Sequence, residues 1–226
     1  MLISHSHKFV FVHIPKTAGT SITQLLEPYC AKAPDSRSRR FARKLGLRQD
    51  PNRAHFRSHD TAAQVLRAFG PHKYAEYLAF TVVRNPFDHA VSHYIFMRGL
   101  ADKRYARVFS DMSFEAYLLY RLSPPTMGKA PPFSRITDQT SFITDQRGKP
   151  IVSRLLRFEN LESDFSDLLS DLGLPQAPLP RARVTRGPGK TIEPFYTQPG
   201  TADLVRKLYQ RDFDMFDYPQ DWRDAN

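Results

Sequence analysis

Lys16, Thr17, Thr20 and Ser21 crowd into one stretch, HIPKTAGTS, and a second polar group, Arg84 with Ser92, follows much later in the chain. A compact ammonium group, three hydroxyls and two small residues suit an anion cradle. Backbone N–H groups complete such a cradle where a strand feeds a tight loop and a helix start. The first N–H groups of a helix lack internal partners, and the macrodipole is positive there. Ala18 and Gly19 let a ligand come close to the backbone. The phosphate-loop pattern GxxxxGK[ST] is absent, because Lys16 precedes Gly19.

Nucleoside triphosphatases need a magnesium ion, usually held by a carboxylate at the end of a second apolar strand. Here the second apolar run, YLAFTVV, ends in Arg84. A guanidinium binds phosphate directly, often through two parallel bonds. The sequence therefore places two anion sites at strand ends and offers no metal site. A donor with two separate phosphate groups suits that pair, and Ser92 can add a hydroxyl to the second. His89 and His93 have a helical spacing that can bind zinc, but Ala90 stands where the zincin pattern needs Glu.

The elements that must position these residues follow from pattern and punctuation. Lys8–His13 and Tyr77–Val83 are apolar, β-branched runs and read as buried strands. Thr20–Cys30 reads as a helix capped by Thr20 or Ser21, with Ile22, Leu25, Leu26 and Tyr29 on its apolar stripe. A helix over Thr61–Phe69, capped by Asp60, ends at Gly70-Pro71. Asn85 and Pro86 make a good N-cap and first residue for a helix to Met97. Further helices are expected over Ser113–Arg121, Leu161–Leu172 and Thr201–Phe213, and a hairpin over Ser141–Thr144 and Ile151–Phe158 about the turn Asp145–Lys149. Gln176–Pro199 is irregular, and Ser36–Arg53 is strongly basic. Strands alternating with helices predict an α/β fold, with a central parallel sheet flanked by helices in a P-loop-like three-layer sandwich and the hairpin as a small addition.

The chain has 226 residues, enough for one core, and is read as a single domain over 1–226. Hydrophobic residues make up 41%, which excludes a disordered chain, and no apolar run is long enough to span a bilayer. The first residues do not resemble a signal peptide, and Cys30 is the only cysteine. Both fit a reducing, cytoplasmic compartment. The net charge of +10 fits polyanionic partners such as nucleic acid, acidic glycan, nucleotide or, through a peripheral association, a membrane surface. It equally fits a role in solubility alone. No nucleic-acid-binding signature accompanies it, and oligomeric state is not legible.

HIPKTAGTS, followed by VVRNPFDHAVSHY, resembles the sulfotransferases that use 3′-phosphoadenylyl sulfate. It is most similar to the carbohydrate branch that includes heparan 2-O-sulfotransferase and its bacterial relatives. RFENL (Arg157–Leu161) and the late RDFDMFDY also fit bacterial members. The resemblance implies that Lys16, Thr17, Ala18, Gly19, Thr20 and Ser21 bind the 5′-phosphosulfate, and Arg84 and Ser92 the 3′-phosphate. It further implies a carbohydrate or glycolipid acceptor and 3′-phosphoadenosine 5′-phosphate as product, without a metal. The family places a histidine base between the two motifs. His59 aligns best with it, and His55 is the reserve. Its apparent pKa is expected near 6.5 if the ring is unperturbed. In the family a basic segment near the C-terminus covers the nucleotide. Here RARVTRGPGK (Arg181–Lys190) stands in its place without a clean match to the RKGxxG form. Arg157 and Glu159 read as a structural ion pair. The run Arg37–Arg48 reads either as a contact for an acidic acceptor or as a solvated face. Two rival readings remain at this stage: a P-loop-type nucleotide kinase, and a non-catalytic basic module for glycan or nucleic acid.

Overall fold

The computed structural model describes residues 1–30, 41, 45, 56–99, 108–123, 138–180 and 191–225. The chain folds as two compact units, one of Met1–Val83 with Ser141–Ala182, the other of Arg84–Thr140 with Arg183–Asn226. His55, Arg181–Lys190 and all of the Arg37–Arg48 run but Phe41 and Leu45 lie outside the described residues.

The first unit is built on a four-stranded sheet in the order β1-β2-β3-β4, formed by Leu2–Ser4, Phe9–Phe11, Leu78–Val83 and Arg154–Arg157. β2, β3 and β4 are mutually parallel. This is the α/β architecture that the alternation of strands and helices predicts. β1 adds an antiparallel edge, with Ile3 opposite Val10, which the short apolar run before the histidines does not announce. Val12 N–H donates to the Phe80 carbonyl (2.9 Å), carrying the β2–β3 pairing one step further. β3 is buried on both faces apart from its first residue, which is why it reads as an unbroken apolar run.

Helices α1 (Gly19–Leu26) and α6 (Leu161–Asp171), numbered in chain order, cover one face of the sheet. Ile22, Leu26, Phe165, Leu168 and Leu169 meet Phe9, Phe11, Phe80, Val82 and Leu156 in a single core. At about 1.5–3 kcal/mol per buried large side chain, this cluster dominates the unit's stability. Arg154 also pairs with Asp171 across β4 and α6.

Several expectations need correction in detail. The 141–158 segment is a hairpin only at one bridge, Thr144 with Pro150; its second arm continues as β4, an integral strand of the sheet. α2 (Ala62–Phe69) is capped not by Asp60 but by Thr61, whose side chain accepts from Gln64 N–H while Gln64 Oε1 accepts from Thr61 N–H. Gly70-Pro71 ends α2 and also opens a short helix, α3 (Pro71–Tyr74).

The second unit holds α4 (Pro86–Arg98), α5 (Phe114–Leu122), α7 (Thr201–Leu208) and α8 (Gln210–Phe216). Asn85 caps α4 by accepting from Phe87 N–H (2.9 Å), and Ser113 caps α5, as their sequences require. The single helix expected over Thr201–Phe213 is broken at Tyr209, whose hydroxyl accepts from Arg121 (2.8 Å) and lies 3.1 Å from His89 Nδ1.

Candidate active site

The loop leaving β2 is shaped by its backbone. Lys16 (φ 68°) and Ala18 (φ 60°) both stand in the left-handed region, where a side chain costs roughly 1–2 kcal/mol. Thr17 lies between them, fully buried, and its Oγ1 donates to the Ile14 carbonyl (3.0 Å). That hydroxyl proton is therefore committed to the loop, not offered to a ligand. Left-handed residues on either side of Thr17 are the kind of backbone from which anion-binding nests are built.

α1 starts directly after this loop at Gly19. Its N-cap is Ala18, which has no side chain to cap with, while Thr20 and Ser21, the expected caps, lie inside the first turn. The helix start is thus left without a side-chain cap and with its dipole directed at the loop.

Gly19 is also required by a neighbouring side chain. A Cβ at Gly19 would lie 1.8 Å from His13 Nε2 and 2.0 Å from His13 Cδ2. The imidazole of His13 occupies the space that any other residue's side chain would fill. That ring stacks on Phe11 (centroids 5.7 Å apart, planes at 15°) and lies 4.5 Å from the ring of His59.

His59 Nδ1 is 3.0 Å from the carbonyl oxygen of His13. A carbonyl can only accept, so Nδ1 carries the proton and the neutral ring's lone pair belongs to Nε2. Burial, first of all, holds the His59 pKa below its usual value, and the terminal amino group of Met1 acts in the same direction. The bond to His13 and the carboxylate of Asp60 oppose this without reversing it. His13 is pushed down to about 3, by burial first and then by His59 and the terminal amino group. Both rings are neutral at pH 7, and the expectation of an unperturbed His59 gives way to a lowered one. Asp60, the presumed cap of α2, instead accepts from Arg57 N–H (2.8 Å).

Because β2, β3 and β4 are parallel, their C-terminal ends share one edge of the sheet, and Arg84 is the residue after β3. Within the second unit the Arg84 guanidinium lies against Asp88, with Nε and Nη2 each 2.5 Å from Oδ2. Its backbone is held as well: Arg84 N–H donates to Gln139 Oε1 (2.9 Å), and Gln139 Nε2 donates to the Arg84 carbonyl (2.8 Å). Ser92 lies on α4 one turn (i+4) beyond Asp88. Its Oγ is fully buried and, among the described residues, has no hydrogen-bond partner. A buried hydroxyl left so costs roughly 1–3 kcal/mol, which a ligand oxygen would remove.

His89 and His93, the spacing that suggested zinc, have Nδ1 atoms beside the hydroxyls of Tyr209 and Tyr117. Among the described residues no group of three or more His, Cys, Asp and Glu could hold a metal ion. Sequence reasoning missed Asp88, Gln139 and Asp212. Only Asp88 left a signal, its i+4 spacing from Arg84.

Among the described residues no helix is long and apolar enough to cross a membrane. A family model for the sulfotransferase family matches residues 1–219 of the chain. No curated protein and no solved structure gives a significant match.

Proposed function

Since the chain belongs to the sulfotransferase family, we propose that it moves a sulfonate group from 3′-phosphoadenylyl sulfate to a hydroxyl of a carbohydrate or glycolipid acceptor, as a bacterial-type member of the heparan 2-O-sulfotransferase-like branch. The observation that carries this reading is the juxtaposition of His59 with the anion loop. His59 is locked by the His13 carbonyl into the tautomer with a basic Nε2, and His13 packs against Gly19 at the start of α1. One residue of the loop thus touches both a base and an anion cradle.

The donor supplies an activated sulfonate on a phosphate leaving group. His59 Nε2 takes the proton of the acceptor hydroxyl as its oxygen bonds to sulfur, an effect worth roughly 10²–10⁴ in rate. Lys16, the N–H groups of the loop and α1, and the hydroxyls of Thr20 and Ser21 hold the charge that develops on the leaving phosphate oxygen. Arg84 and Ser92 take the 3′-phosphate. A transferring sulfonate carries less charge than a triphosphate, so one lysine and a backbone cradle suffice without a metal ion. The family match runs across both compact units, which supports reading them as one sulfotransferase domain. Cys30, as the lone cysteine, fits work in a reducing, cytoplasmic compartment.

Calorimetric titration with 3′-phosphoadenosine 5′-phosphate, and separately with ATP and magnesium, tests the donor. The first should bind and the second should not; the reverse result would overturn 3′-phosphoadenylyl sulfate as the donor. Screening polysaccharides and glycolipids with labelled donor then identifies the acceptor.

A further inference from the structure

The cradle around the Arg84 backbone leads to a residue far along the chain. The Gln139 carboxamide faces both the N–H and the carbonyl of Arg84, as a neighbouring strand would. Its second Nε2 hydrogen goes to Asp212 Oδ2 (3.1 Å), which also accepts from Gln139 N–H (2.9 Å). Asp212 Oδ1 accepts from Thr140 N–H (2.8 Å) and from Thr140 Oγ1 (2.7 Å). Gln139, Thr140 and Asp212 are all fully buried.

The carboxylate thus accepts four bonds, two on each oxygen, and it fixes which way the carboxamide is turned. With Oε1 toward Asp212 the carboxamide would meet a carboxylate oxygen, and it would present N–H groups to the Arg84 N–H. The break in the C-terminal helix matters here. α8 restarts after Tyr209, and its Asp212 side chain reaches the 139–140 segment. Arg84 is therefore held twice, its backbone through Gln139 and its guanidinium through Asp88.

We propose that Gln139 and Asp212 are positioning residues for Arg84, and that through it they set the selectivity for a nucleotide bearing a 3′-phosphate. This rests on the reading of Arg84 as the 3′-phosphate ligand. A guanidinium recognises phosphate by a planar fork, so a small rotation of its backbone costs recognition of that group and leaves the rest of the nucleotide untouched. A network that only supported the fold would not distinguish one nucleotide from another.

The test compares affinities for 3′-phosphoadenosine 5′-phosphate and adenosine 5′-phosphate, which differ by the 3′-phosphate alone. Gln139→Met keeps the shape and removes both bonds to Arg84. It should weaken the first ligand tenfold or more and leave the second within twofold. Thr140→Val, which removes one bond to Asp212, should give a smaller loss of the same selectivity and serves if the first variant does not fold. In an Arg84→Ala background, Gln139→Met should add nothing, because it acts through Arg84. Equal weakening of both ligands, no weakening, or an additive loss in the double variant would overturn the inference while leaving Arg84 in place. If Arg84→Ala itself weakens both ligands equally, the 3′-phosphate reading fails, and the inference fails with it.

Discussion

Gly19→Ala adds one methyl group, and the structure says where it goes. The new Cβ would lie 1.8 Å from His13 Nε2 and 2.6 Å from His13 Cε1, so the imidazole must leave its place. Phe11 on one side and His59 on the other restrict that movement. Overpacking of this kind costs about 1–3 kcal/mol. Gly19 is the first residue of α1, and alanine recovers up to about 1 kcal/mol of helix propensity there. The balance is a loss of roughly 1–2 kcal/mol. In a chain of this size that lowers Tm by about 2–8 °C. Thermal unfolding followed by circular dichroism measures it, and turnover should fall as well, because His13 carries the carbonyl that orients His59. Adding His13→Ala should restore part of the stability by reopening the space. An alanine variant as stable as the parent protein, or more stable, would refute the packing argument.

His59→Ala should lose most transfer activity and keep its affinity for 3′-phosphoadenosine 5′-phosphate; His55→Ala is the control and should lose far less. Since burial lowers the His59 pKa, the acid limb of the pH–rate profile should lie below pH 6.5, with activity rising as the ring loses its proton, and a limb above pH 7 would contradict the burial. Lys16→Ala should cut kcat by roughly 10²-fold, the scale of one lost oxyanion donor, and near-normal turnover in the folded variant would remove Lys16 from the site. Ser92→Ala should leave the ligand-free protein as stable as before or slightly more so, since an orphaned hydroxyl is removed, yet weaken the 3′-phosphorylated nucleotide. His13 has a folded pKa of about 3 against 6.5 when unfolded, so it favours the fold fully above pH 6.5 and loses that contribution as pH falls toward 3. Asp212, raised to about 6 by burial, acts in the opposite sense and gains stability as pH falls from about 6 toward 3.8. The histidine shift is the larger, so Tm should drop between pH 7 and pH 4.5, and His13→Phe should reduce that drop.

What the sequence determined by itself is what short-range forces decide. β2 and β3 are apolar because both their faces are covered, and Asn85-Pro86 and Ser113 start their helices through bonds to neighbours in the chain. A lysine, hydroxyls and small residues after a strand mark a candidate anion loop wherever that strand is placed. Some local signals were ambiguous. Asp60 and Thr61 can each cap a helix, and the reciprocal bonds between Thr61 and Gln64 decided for Thr61. The 151–158 run can pair with the strand before it or with a distant one, and β3 offered it a full parallel ladder. The second demand on Gly19, space for the His13 ring, could not be read from the sequence, because that side chain meets it only in the folded chain. The tautomer of His59 and the hold of Asp212 on Gln139 rest on bonds between residues 46 and 73 positions apart. No spacing pattern encodes such pairs. They exist because burial strips water from the polar groups and leaves each to find its partner in the folded chain.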